Sequence, residues 1–226
     1  MANYKVFETE DAWLEYRKDK FTSSEIHKLL TDPTAKELKA GEVLSKGAKS
    51  YIKTKVANQL SVTPPNFYNA AMQRGKEIEP QAVLAFAELK GLDVNDNNFI
   101  YTSANGIVLF ENIEFDICGT PDIVLKDAIC EIKCPESKTH LDYLLLSTSD
   151  DILENMPEYY AQMQLNMFLT DTKLCHFISY DDRFNDAKLQ LKIIDVPIHI
   201  SFIETMISKI QYAIDYKAKI YKTLTN

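Results

Sequence analysis

Pro121-Asp122-Ile123-Val124-Leu125-Lys126-Asp127-Ala128-Ile129-Cys130-Glu131-Ile132-Lys133 holds two short apolar runs around a Lys-Asp turn. It reads as two β-strands, 121–125 and 129–133, in succession. Side chains alternate along a strand, so Glu131 and Lys133 share one face and Cys130 points to the other. Asp122 and Glu131 are hard oxygen ligands able to share a divalent cation, with the Lys133 ammonium beside them. A surface hairpin with alternating charges would look similar. Two features count against it. The strand 129–133 is mostly apolar, so its charges sit in a poorly hydrated setting and need partners. In addition, Pro121-Asp122 precedes a strand rather than capping a helix.

Working outward, more short β-rich runs precede this pair, at 98–102, 107–110 and 113–118. Asn105-Gly106, Glu111-Asn112 and Gly119-Thr120 read as the turns between them. Helical patterns flank the block. Before it lie 11–16 with Trp13, a start at Thr22-Ser23-Ser24-Glu25, 45–60, and 69–90 closed by Gly91, with Pro80 as a boundary or kink. Thr22 and Glu25 have capping-box spacing, and Ile26, Leu29 and Leu30 follow at helical spacing. Residues 61–67, with Pro64-Pro65, read as a loop, as do 135–140. After the block come helices near 141–146 and 157–169, strands at 175–180 and 189–196, and a long amphipathic helix over 198–221. The expected fold is α/β: a central mixed sheet flanked by helices.

The chain has 226 residues, 46% of them hydrophobic, including 12 tyrosines and 11 phenylalanines. That supports one domain with a substantial core. No apolar run approaches the roughly 18 residues of a membrane span, and residues 1–10 lack a signal-peptide core. A soluble, cytoplasmic protein is expected. Cys118, Cys130, Cys134 and Cys175 lack zinc spacing. They read as reduced, packed thiols rather than iron–sulfur ligands. The formal charge of −8 argues against a broad nucleic-acid-binding face. It is unevenly distributed, however: residues 1–76 hold 13 Lys or Arg against 9 Asp or Glu, and the remainder holds 12 against 24. The basic N-terminal third could line a groove for a polyanion.

The Asp122, Glu131 and Lys133 set suits phosphodiester hydrolysis, which needs a metal to activate water and a cation near the attacked phosphate. Glu79 opens an apolar helical run, where a carboxylate complements the helix dipole or joins the acids. Gln162 shares a helical stripe with Glu158 and Asn166, either a solvated face or a partner for the charged cluster. Arg17, one of three arginines, lies close before Ser23 and Ser24; a guanidinium with hydroxyls and helix amides would suit a terminal phosphate. The four histidines show no metal spacing.

Taken in chain order, six pieces resemble the lambda-exonuclease group, the YqaJ-like viral recombinase family. They are Trp13-x-x-x-Arg17, Thr22-Ser23-Ser24-Glu25, Arg74-Gly75-Lys76-x-x-Glu79, Gly119-Thr120-Pro121-Asp122, Glu131-Ile132-Lys133-Cys134-Pro135 and Tyr159-Tyr160-Ala161-Gln162-Met163-Gln164. The resemblance implies a restriction-endonuclease-like, PD-(D/E)XK core. It implies an Mg²⁺-dependent exonuclease (Mn²⁺ substituting, two ions per site) that degrades duplex DNA from the 5′ end. The 3′ single strand left behind would pass to a single-strand annealing protein for recombination. It also implies a ring-shaped homo-oligomer, a trimer by preference, and a phage or prophage source.

Residue by residue, the resemblance carries metal ligation onto Asp122, Glu131, Glu79 and the Ile132 backbone carbonyl. Lys133 becomes the cation that positions or deprotonates water, Gln162 an organiser of the cluster, and Arg17 and Ser24 the 5′-phosphate contacts. A single domain over 1–226 is implied: a helical DNA-end-binding part to about 90, a nuclease core over about 75–200, and a C-terminal helix over about 198–222. Related helicase–nucleases carry Gln-x-x-x-Tyr in the 157–169 helix; here Gln162 is followed by Asn166 and Gln164 by Phe168. Residues 181–226 add no motif. An endonuclease on the same core and an inactive DNA-binding scaffold are the alternatives.

Overall fold

The structure is a computed structural model and describes residues 3–62 and 70–225. In chain order come β1 (Asn3–Phe7), α1 (Glu10–Arg17), β2 (Phe21–Thr22), α2 (His27–Leu30), α3 (Ala35–Lys39), α4 (Lys46–Leu60) and α5 (Ala70–Lys90). Then follow β3 (Ile100–Tyr101), β4 (Ile107–Asn112), β5 (Ile117–Gly119), β6 (Ile123–Val124) and β7 (Ile129–Lys133). α6 (Ser137–Leu144), α7 (Ser149–Asn155) and α8 (Pro157–Thr170) lead to β8 (Leu174–Tyr180), β9 (Leu191–Pro197) and α9 (Ile200–Thr225).

The strands form two mixed sheets rather than one. The first has the order β1-β4-β5-β2, the second β3-β6-β7-β8-β9. The N-terminal part is therefore not purely helical: β1 pairs antiparallel with β4, and β2 parallel with β5. In the second sheet β7 lies antiparallel to β6 and parallel to β8. Parallel neighbours need a crossover, and α6, α7 and α8 supply it.

Alternation along β7 sorts its side chains as expected. Ile129 joins Phe177 and the α8 residues Met163 and Met167 in one apolar cluster. Cys130 and Ile132 join Ile178 and the α5 residues Ala82, Val83 and Phe86 in another. Glu131 is thereby aimed at α8. That helix also supplies Ala161, Leu165 and Leu169 to a third cluster built by α2, α4 and α9. A helix buried on nearly every side cannot present a solvated polar stripe. Gln162, Gln164 and Asn166 are all buried.

Several local expectations are corrected. The Thr22–Glu25 capping box does not form. Thr22 ends β2, a 3-10 turn spans Ser23–Glu25, and the Thr22 side chain caps nothing. Glu25 instead pairs with Lys28 and Lys55. β4 runs through the Glu111-Asn112 turn signal to Asn112, because Glu111 pairs across to Cys118. Strand β5 begins only at Ile117, after Asp116 turns the chain at φ +52°. Gly119 lies in β5 rather than in a turn. Residues 137–140 belong to α6 rather than a loop. β1, β2, α3 and α7 add to the expected elements; α3 and α7 open on the capping boxes Thr34–Glu37 and Thr148–Asp151. Most of the 61–67 loop and Asn69 lie outside the described residues. Gly91 does close α5, at φ +64°, and α5 continues through Pro80.

Candidate active site

The Asp122, Glu131 and Lys133 side chains converge where β6 and β7 meet α8. Asp122 is held on both sides. Its amide donates to the Cys130 carbonyl at 3.0 Å, and its Oδ2 accepts from the Ile132 amide at 2.5 Å. Glu131 Oε1 accepts from Lys133 Nζ at 2.6 Å and from Gln162 Nε2 at 2.6 Å; Oε2 accepts from Asn166 Nδ2 at 3.4 Å. Lys133 Nζ also stands 4.6 Å from the centre of the Tyr159 ring. Glu79 enters from α5, and its Oε1 accepts from the Tyr101 hydroxyl at 3.1 Å.

Three carboxylates thus surround one ammonium. Burial, then repulsion from Glu131 and Glu79, pushes Asp122 well above the usual carboxylate range. Burial is also the main cause raising Glu79, with Glu131 adding to it. Burial alone would lower Lys133, but Glu131 and Asp122 outweigh it and hold the ammonium charged. A cluster with more acid than base in a poorly hydrated cavity favours either extra protons or a bound cation. Its oxygen donors match a hard divalent ion. Among the described residues no three acidic, histidine or cysteine side chains are gathered as a preformed cage. Glu131 is turned onto Lys133 and Gln162, and Asp122 onto a backbone amide. The donor set fits a divalent cation if these two carboxylates let go of their present partners.

A second group faces the acids. Arg17, at the end of α1, donates from Nη2 to Ser24 Oγ at 3.2 Å and lies 4.1 Å over the Trp13 ring. Trp13 Nε1 donates to Thr120 Oγ1 at 3.3 Å. Burial is the main cause lowering the Arg17 pKa. Below this wall Lys55 is buried against Glu25 at 2.9 Å.

All eight residues singled out from the sequence — Arg17, Ser24, Glu79, Asp122, Glu131, Ile132, Lys133 and Gln162 — line one cavity of about 510 Å³. Gly119 lies where the two walls touch. A Cβ there would come 2.2 Å from Asn166 Oδ1 and 2.8 Å from Ser23 Oγ. Sequence reasoning missed Tyr101, Thr120, Tyr159 and Asn166. Thr120 and Tyr159 stand inside the quoted motifs, and Asn166 lies four residues after Gln162 on the same stripe; Tyr101 left no signal. The Asn166 amide donates to Glu131 Oε2 at 3.4 Å. Gln164 has a different job: it accepts from the His199 amide at 2.8 Å and donates to the Pro197 carbonyl at 2.9 Å, tying α8 to the start of α9.

Mixed sheets flanked by helices, with this acid–lysine strand at the centre, define a restriction-endonuclease-like fold of the PD-(D/E)XK kind. Residues 12–173 match the YqaJ-like viral recombinase domain, and the chain belongs to that family. Its structure is similar to an alkaline exonuclease from Laribacter hongkongensis, at 23% identity and a TM-score of 0.71, covering 95% of each chain. The same enzyme in complex with dAMP matches equally well, at 24% identity. A phage-related exonuclease from Haemophilus somnus matches at 19% identity and a TM-score of 0.69, over 91% of this chain and 96% of that one. No curated protein matches the chain. Family membership together with this fold supports a nuclease. Among the described residues no helix is long and apolar enough to cross a membrane.

Proposed function

We propose that this chain is an Mg²⁺-dependent exonuclease that degrades linear duplex DNA from its 5′ end. It would leave 3′ single strands for an annealing partner, and it would work as a ring-shaped homo-oligomer in the cytoplasm of a bacterial host. One observation carries the reading. The acid–lysine cluster and the Arg17–Ser24 pair line the same cavity, so oxygen donors suited to a cation and donors suited to a phosphate share one lining. The similarity to an alkaline exonuclease solved with dAMP supports a mononucleotide-sized product.

In this reading Asp122, Glu131, Glu79 and the Ile132 carbonyl hold the divalent cation. When bound, that ion supplies Lewis acidity and charge neutralisation at the attacked phosphate. Lys133 is the cation that positions or deprotonates the attacking water and offsets charge at the attacked phosphate. Gln162 and Asn166 fix the Glu131 carboxylate through their amides. Arg17 and Ser24 hold the 5′-terminal phosphate and exclude strands that lack an end.

Linear duplex with and without a 5′ phosphate, beside closed circles, in Mg²⁺ and in chelator, tests the reading. Nucleotide release is expected from linear duplex in Mg²⁺ alone, faster with the 5′ phosphate. Cutting of closed circles would turn the assignment to an endonuclease. No release under any condition would leave a DNA-binding scaffold.

A further inference from the structure

Glu79 and Asp122 reach the cavity from separate elements, α5 and the chain just ahead of β6. One dipeptide touches both. Tyr101 donates its hydroxyl to Glu79 Oε1 at 3.1 Å. Thr102 donates its Oγ1 to the Pro121 carbonyl at 2.6 Å and to the Asp122 carbonyl at 3.2 Å. The Thr102 amide donates to the same Asp122 carbonyl at 3.1 Å. Thr102 is buried at 1% exposure, and Tyr101 lines the cavity. The strand carrying Tyr101, β3, pairs with β6 through Ile100 opposite Val124 and Tyr101 opposite Ile123. The dipeptide is therefore anchored to the strand that follows Asp122.

We propose that Tyr101 and Thr102 are positioning residues that set the spacing of the two acids. Tyr101 fixes the carboxylate of Glu79, and Thr102 fixes the backbone of Asp122, so that both present oxygens to one cation. The proposal rests on the nuclease reading above. Its physical basis is charge. Glu79 shares the cavity with Glu131 and Asp122, and repulsion would swing an untethered side chain on α5 away from them. A neutral hydroxyl holds it without cancelling the charge a cation needs. Groups that orient metal ligands in this way commonly change metal affinity about 10- to 100-fold when removed.

Tyr101→Phe deletes one oxygen and keeps the ring; Thr102→Val keeps the shape and removes the hydroxyl. Two readouts are needed in the full chain: the Mg²⁺ dependence of nucleotide release, and Mn²⁺ binding without DNA, followed by electron paramagnetic resonance. For Tyr101→Phe, the Mg²⁺ concentration giving half-maximal rate and the Mn²⁺ Kd are both expected to rise about tenfold. The KM for DNA should stay within about twofold, and the melting temperature within about 2 °C. Thr102→Val should move the same two readouts. Unchanged metal dependence in a folded Tyr101→Phe would overturn the proposal. So would a lower melting temperature with no selective shift, or a parent chain that binds no Mn²⁺. A parent that binds Mn²⁺ but releases no nucleotide, with the Kd still shifted by Tyr101→Phe, would uphold the positioning role and defeat the nuclease reading.

Discussion

The two walls of the cavity are built in opposite ways. The acid wall, built by β7, α8, α5 and the chain ahead of β6, gathers three carboxylates around one lysine, with neutral amides from Gln162 and Asn166. The α1 wall gathers a guanidinium, an indole and hydroxyls, above a buried lysine paired with a part-buried glutamate. The first carries more negative than positive charge and suits a cation; the second presents a donor fork and suits a phosphate. An end-dependent hydrolase needs both within one substrate's reach, and the difference between the walls is what a long acidic chain must create locally to handle DNA.

The comparison breaks first at the acid wall. Asp122→Ala, Glu131→Ala and Lys133→Ala are each expected to cut nucleotide release by at least about 10³-fold with the circular dichroism spectrum unchanged. Full activity in a folded Lys133→Ala would sink the mechanism. Gly119→Ala strikes the seam between the walls. Its Cβ must displace Asn166 or Ser23, so it should cost about 1–3 kcal/mol in chemical denaturation and lower activity on every DNA end. The α1 wall is tested by Arg17→Ala. Loss of one charged contact should raise the KM for 5′-phosphorylated duplex about tenfold and leave kcat and 5′-hydroxyl duplex nearly unaffected. An equal loss on both ends would remove the phosphate role.

The smallest expected effect lies beneath that wall. Burial opposes ionisation of Glu25, but Lys55 and Lys28 outweigh it and hold its pKa down to about 2. A carboxylate depressed on folding stabilises the fold above its unfolded pKa of about 4.3, and that stabilisation fades as pH falls through about 2. Glu25→Gln should therefore lower the melting temperature by about 2–4 °C near pH 7, leaving Lys55 buried without its partner. The gap from the parent should close between about pH 4 and pH 2. A gap that persists unchanged to pH 2 would show that the ion pair is not its source.

Much of the acid wall was legible because strand geometry is local. The spacing of two from Glu131 to Lys133 fixes a shared face, and five apolar-rich residues mark the strand, whose bounds match β7. Helices α4, α5 and α9 were legible from capping, glycine closure and periodicity. What failed were short elements. β2 is two residues long, and β1 is exposed along its length except at Phe7. Such strands exist through their partners, not through their own composition. The capping-box reading of Thr22 and Glu25 failed for a related reason: Lys55, thirty residues away, draws the carboxylate into a part-buried pair.

By itself, then, the sequence determined the family, through motifs in chain order, and the acid–lysine strand and the faces on which its side chains lie, which depend on residues close along the chain. The tertiary structure alone decided that Arg17 and Ser24 face those acids, that Asn166 and Gln162 turn inward to Glu131, and that Tyr101 reaches Glu79. Each of these joins elements separated by many residues. Their meeting is set by how α5 and α8 pack on opposite faces of one sheet, a consequence of burying apolar surface that no local pattern encodes.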